Sequence, residues 1–184
     1  MTRIVGVSGA LRQGSFNTGL LRAAGENLPA GVTLLVASIR GIPLYDGDDE
    51  AKNGLPPAVV ALKDAFMAAD GLLLATPEYN NGIPGVFKNA IDWASRPASD
   101  IAKVFGDKPV AVIGASPGGF GTILAQNHWL PVLRTLGARL WTGGRLMVPR
   151  AGSAFDAEGR LTDDAIRRRL QEFIAGFAAF IRGA

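Results

Sequence analysis

The 184-residue chain contains no cysteine, which excludes disulfides, thiolate zinc centres, cysteine-ligated iron–sulfur clusters and a cysteine nucleophile. Any redox chemistry must come from a bound cofactor. There is one histidine, His128. With no second histidine and no carboxylate three or four positions from it, a helical metal pair is ruled out, and a Ser-His-Asp triad would need a serine that lacks G-x-S-x-G context. Charge is also sparse, at 19% of residues. The net charge of +3 comes from scattered basic residues, and the one run, Arg167-Arg168-Arg169, sits in a helical pattern and reads as a solvated face. A dense basic stripe with interleaved aromatics, the mark of a nucleic-acid surface, is missing. The longest apolar run, FIAGFAAFI at 173–181, falls short of the ~20 residues of a membrane span, and MTRIVGVSGA at the start is no secretory signal. The expectation is a cytoplasmic, soluble protein with no nucleic-acid or membrane partner.

What is present is apolar and regularly spaced. Hydrophobic residues make up 48% of the chain, and the length suits one domain over 1–184. Strand-like runs fall at 3–9, 32–39, 71–77, 109–116 and, more weakly, 144–149. They are continuously apolar, as expected of parallel strands covered on both faces. Helical patterns occupy 17–28, 56–70, 84–96, 121–137 and 162–182, the last with Thr162 as the expected N-cap. Strict alternation predicts a doubly wound α/β sandwich of three layers, and five parallel strands favour the order 2-1-3-4-5 over a six-stranded dinucleotide sheet. The irregular stretch 40–56 reads as a mobile loop or an interface arm.

In such a sheet ligands bind beyond the carboxyl ends of the strands, near the point where strand order reverses. Three loops fall there: SGALRQGSFN (8–17), TPEYNNGIPG (76–85) and ASPGGFGT (115–122). In the first, free N–H groups at a helix start, with Ser15, Asn17 and Arg12, suit an anion; Ser15 or Asn17 would equally serve as a plain helix cap. Neither G-x-x-x-x-G-K-[ST] nor G-x-G-x-x-G is present, so the loop fits a terminal monophosphate better than a triphosphate or a pyrophosphate. The second loop has two prolines and two glycines and reads as a rigid turn whose main chain could meet the edge of a flat heterocycle. Glu78 invites a general-base role, but no partner in the sequence would tune it. Glycines in the third loop let main chain approach a ligand.

Together GALRQGSFN, PEYNNGIPGVFKNAIDW and SPGGFG resemble the NADPH-dependent FMN reductase family of the flavodoxin-like fold, with its quinone, chromate and azo-dye reductases. The resemblance runs over almost the whole chain. It implies that Arg12, Ser15, Phe16 and Asn17 hold the FMN phosphate, that Pro77, Glu78, Tyr79 and Asn80 line the ribityl chain and ring, and that Ser116, Gly118 and Gly119 close the other side. With no thiol and one histidine, no side-chain catalyst is assigned. Hydride would pass from NADPH or NADH through flavin N5 to a small-molecule acceptor such as a quinone, azo compound, free flavin or chromate. Lys88 to Trp93 would pack beneath the site and contribute to a homodimer or homotetramer. One departure is Ala10, where the family often has a serine. A non-enzymatic flavodoxin-type electron carrier is the alternative; the basic balance and Arg12 argue against it.

Overall fold

A computed structural model describes residues 1–26 and 28–183. The apolar runs become the central strands β1 (Thr2–Ser8), β2 (Val32–Ala37), β3 (Gly71–Ala75) and β4 (Pro109–Ala115). All pair in parallel, in the order β2-β1-β3-β4. Between them lie the helices α1 (Phe16–Glu26), α2 (Gly47–Asn53), α3 (Pro57–Ala68), α4 (Gly85–Ala94) and the short α5 (Ile101–Val104); α6 (Ile123–Thr135) and α7 (Asp164–Arg182) follow β4.

Side chains on a strand alternate between faces, and here both faces are buried. Ile4, Leu73 and Ile113 point to one side, where α1 and α7 cover them with Leu20, Leu21, Phe173 and Phe177. Val5, Val7, Leu72 and Leu74 point to the other, against Leu62, Phe66, Phe87, Ile91 and Trp129 of α3, α4 and α6. Each such side chain contributes about 1.5–3 kcal/mol on burial, so both faces have to be apolar for three layers to hold. That is why the runs show no polar alternation.

Three features differ from expectation. The fifth sheet position is shared by two short strands, β5 (Arg139–Leu140) and β6 (Leu146–Val148), both parallel to β4. The expected strand 144–149 corresponds to the second of them. The N-cap of α7 is Asp163 rather than Thr162: its carboxylate accepts from the N–H groups of Ala165 and Ile166, while the Thr162 hydroxyl donates to the carbonyl of Ala154. The first expected helix, 17–28, begins one residue earlier, at Phe16, and its Asn27 lies outside the described residues.

The segment 40–56 is folded against α4. Trp93 is fully buried, and a buried indole N–H requires an acceptor; it donates to the carbonyl of Pro43, which also accepts from Asn89. Asn89 in turn accepts from the Tyr45 N–H. Within the segment α2 is capped by Asp46, and Glu50 accepts from both the Tyr45 hydroxyl and Arg96 at 2.9 Å. Partial burial pushes the Glu50 carboxyl up, but the Arg96 and Tyr45 hydrogen bonds and the Arg96 charge outweigh it and leave its pKa below the ordinary range.

Candidate functional site

The three loops meet at the carboxyl ends of β1, β3 and β4. A cleft of about 140 Å³ opens between them, lined by Arg12, Ser15 and Phe16 from the first, Pro77 and Tyr79 from the second and Ser116 from the third. Asn17 and Glu78 also reach its wall.

The first loop leaves β1 at Gly9, where the chain has no room for a side chain. A Cβ there would stand 2.2 Å from the Phe87 ring and 2.9 Å from Pro77. Phe87, one residue before the stretch 88–93, is therefore the α4 residue beneath the site; Lys88 and Asp92 pair with each other on the half-exposed side. Ser15 ends the loop as the cap of α1, its hydroxyl accepting from the Thr18 N–H at 3.4 Å. Among the described residues, the N–H groups of Phe16 and Asn17 find no protein acceptor, as expected for the first turn of a helix. Arg12 makes no ion pair among the described residues. Its guanidinium donates to the Gly14 carbonyl at 2.7 Å and lies over the Phe16 ring at 5.2 Å, and Phe16 rests on Phe155 with centroids 5.3 Å apart.

Asn17 has a different task from the side-chain phosphate donor of the sequence reading. Its buried amide donates to the Ala115 carbonyl and accepts from the Ala115 N–H, both at 2.9 Å. It fastens the start of α1 to the end of β4, and what it leaves for an anion is its main-chain N–H. The N–H of Ala10 makes only a long contact, 3.4 Å, with the Ser8 hydroxyl.

The second loop is held by its own polar groups. The Thr76 hydroxyl donates to the Pro77 carbonyl and accepts from the buried Trp129 indole. The Glu78 carboxylate accepts from the N–H groups of Leu124 and Ala125, both at 2.9 Å. It thus caps the first turn of α6, and this explains a glutamate there without base chemistry. Tyr79 and Gly82 exchange two main-chain hydrogen bonds across Asn80 and Asn81, which have φ of 50° and 63°. Asparagine tolerates this left-handed geometry better than most residues, and the result is a tight turn with the Tyr79 ring half-exposed at its edge.

In the third loop Ser116 is fixed by main-chain bonds with Val148 and Ala151, and the Gly118 carbonyl accepts from the N–H of Arg150. A Cβ on Gly118 or Gly119 would meet nothing within 4 Å. Protein packing does not demand these glycines, and neither they nor Asn80 are among the described residues that line the cleft. His128 is exposed on α6, near Gly82.

A helix start with free N–H groups, a rigid turn and a bare glycine loop at one switch point of a parallel sheet are the parts of a flavodoxin-like α/β protein. A family model described as NADPH-dependent FMN reductase matches residues 2–153. An NAD(P)H-dependent FMN reductase of Pseudomonas aeruginosa is 44% identical over 180 residues, covering 98% of this chain and 95% of its own. A 2-hydroxy-1,4-benzoquinone reductase of a Burkholderia species is 39% identical, covering 98% and 96%. Among solved structures, FerB, a flavoenzyme NAD(P)H:(acceptor) oxidoreductase of Paracoccus denitrificans, superposes with a TM-score of 0.87 at 32% identity, over 100% of this chain and 98% of that one. The chain belongs to the NADPH-dependent FMN reductase family, and is thereby an oxidoreductase.

Proposed function

We propose that the chain is an FMN-dependent NAD(P)H oxidoreductase that reduces small diffusible acceptors, with quinones first among them and azo compounds, free flavin and chromate-like oxyanions as further candidates. The observation that supports it most is the cradle: two main-chain N–H groups and an arginine that have, among the described residues, no protein acceptor and no ion pair meet at one cleft, and a phosphate monoester satisfies all three. These residues fit the phosphate of FMN, and the bare Gly118-Gly119 loop leaves space beside it for a flat ring. Bound there, FMN supplies the two-electron chemistry that the side chains lack.

The chain's own part is placement. Arg12, with the N–H groups of Phe16 and Asn17, anchors the phosphate. Pro77, Tyr79 and Asn80 present a rigid edge, and Ser116, Gly118 and Gly119 border the opposite one. Glu78 acts indirectly, by joining the second loop to α6. No side chain in the cleft is assigned an acid or base role. One open mouth serving nicotinamide and acceptor in turn predicts ping-pong kinetics. The working unit on this reading is one domain over 1–184, assembled as a homodimer or homotetramer, with no helix among the described residues long and apolar enough to cross a membrane.

The test is the purified protein itself. Stoichiometric FMN, bleaching on addition of NADPH or NADH, and recovery with steady turnover on adding a quinone are expected. A protein that neither carries nor takes up FMN overturns the reading. Bleaching without turnover on any acceptor would instead indicate an electron carrier.

A further inference from the structure

The outer edge of the sheet is interrupted, and a cavity lies at the interruption. β5 pairs with Pro109 and Val110 and β6 with Ile113 to Ala115, so Ala111 and Val112 of β4 have no register partner on that edge. Val112 is the one residue of β4 that is not buried. The chain leaves the sheet after Leu140 and returns at Leu146, folding closely over Trp141: a Cβ on Gly143 or Gly144 would stand 2.7 Å from its indole. Trp141 in turn packs edge-on against Phe173 of α7, with centroids 4.6 Å apart. Between this excursion, β4 and α6 lies a cavity of about 170 Å³, and none of the residues that line it also lines the cleft.

The walls of this cavity are apolar, with Val112, Leu130, Leu140, Trp141 and Met147 among them. Its one charged residue is Arg145, and no carboxylate lines it. Gln126 is committed, donating to the Thr122 hydroxyl and the Leu146 carbonyl. Asn127 and Arg145, both exposed, are not: among the described residues the Asn127 amide has no hydrogen bond, and the Arg145 guanidinium has neither a hydrogen bond nor an ion pair. A guanidinium at the rim of an apolar cavity, with no acid to neutralise it, selects a carboxylate, which it meets with two parallel hydrogen bonds. The volume is that of one ring, since an apolar cavity of about 150 Å³ holds benzene, and the Trp141 indole offers an aromatic contact. We infer that the cavity binds a one-ring aromatic carboxylate, its ring against Val112 and Trp141 and its charge on Arg145, at a site separate from the cleft. Such a site needs neither flavin nor turnover to exist.

Calorimetry with benzoate, on the full chain with and without excess FMN, tests it. One benzoate per chain is expected, with the same affinity whether or not FMN is present. Benzamide, which keeps the ring and loses the charge, should bind about ten- to a hundredfold more weakly, the usual range for losing a charged hydrogen bond, and acetate, which keeps the charge and loses the ring, at least tenfold more weakly. Arg145→Gln should bring benzoate down to the level of benzamide. Ile123→Trp enlarges a lining side chain that is 37% exposed and should abolish binding of both. Thermal melting shows whether each variant is folded; Arg145 is exposed and unpaired, so its variant decides the matter if Ile123→Trp does not fold. No benzoate binding, an unchanged affinity in Arg145→Gln, or equal affinity for benzoate and benzamide would overturn the inference. Benzoate displaced by FMN sits in the cleft and overturns it too. So does an Ile123→Trp variant that changes its oligomeric state on gel filtration and keeps its benzoate affinity, which would make this face an interface between copies of the chain. Failure of flavin reduction bears on the reductase reading alone and leaves these titrations unchanged.

Discussion

The first and second loops flank the same cleft and are built on opposite principles. In the loop after β1, among the described residues, Arg12 donates only within its own loop and makes no ion pair, and the N–H groups of Phe16 and Asn17 meet no acceptor. In the loop after β3, Thr76, Glu78 and the Tyr79–Gly82 pair have their polar groups engaged within the protein. A dianion brings strong directional charge, so the end that meets it keeps its donors available. A flat ring brings mostly area and a few edge atoms, so the end that meets it needs a fixed shape. On the proposed reading, affinity belongs to the first loop and geometry to the second.

The sharpest way to break this contrast is Asn17→Ala. Losing the amide leaves the Ala115 N–H and carbonyl buried without partners, at about 1–3 kcal/mol for each unsatisfied group. Urea denaturation of the apoprotein should show a loss of roughly 2–4 kcal/mol, larger than any other change in the first loop. Next comes Arg12→Gln, expected to weaken FMN binding about ten- to a hundredfold while the apoprotein melts within a degree or two of the parent. Fluorescence titration and thermal melting measure the two separately. A large stability loss here would mean that Arg12 is structural after all.

Glu78→Gln sharpens the other side. It keeps shape but removes the charge at the start of α6, and should lower stability by about 0.5–1 kcal/mol without altering the pH dependence of kcat; a lost acid or alkaline limb would restore the general-base role. The smallest effect is expected from Glu50→Gln, away from the cleft. Because the folded carboxyl has a pKa below its unfolded value of about 4.3, its contribution is full above that value and fades as pH falls through the folded one. The stability gap between parent and variant should therefore close on acidification below about pH 4, as followed by urea midpoints.

Much of this architecture was legible. Strands buried on both faces announce themselves as uninterrupted apolar runs, strict alternation with short connections gives the doubly wound class, and the count of strands favoured the order in which β2, β1, β3 and β4 are found. The divided edge was not, because a two-residue strand such as Arg139–Leu140 carries no periodicity. The helix α2 did leave a signal: Asp46 precedes Asp48, Asp49 and Glu50, and Lys52 stands in the last turn, the charge order that a helix dipole favours. Of the cleft, residue types and loops could be read, but not partners. Asn17 bonds to a residue 98 positions away and Glu78 to residues 46 and 47 away, and nothing local distinguishes a free amide or carboxylate from a committed one. Their structural duties appear only when the sheet edge is assembled.

One stack of side chains extends the site beyond the reach of the shared family pattern. Arg12 rests on Phe16, and Phe16 on Phe155, which lies past residue 153 where the family match ends. Just behind, Gly19 packs so closely on the Gly159 carbonyl that a Cβ would come within 2.5 Å of it. The floor under the arginine is thus laid by residues that lie beyond the family match. A chain cut at 153 would possess every loop of the cleft and still lack the support on which Arg12 lies.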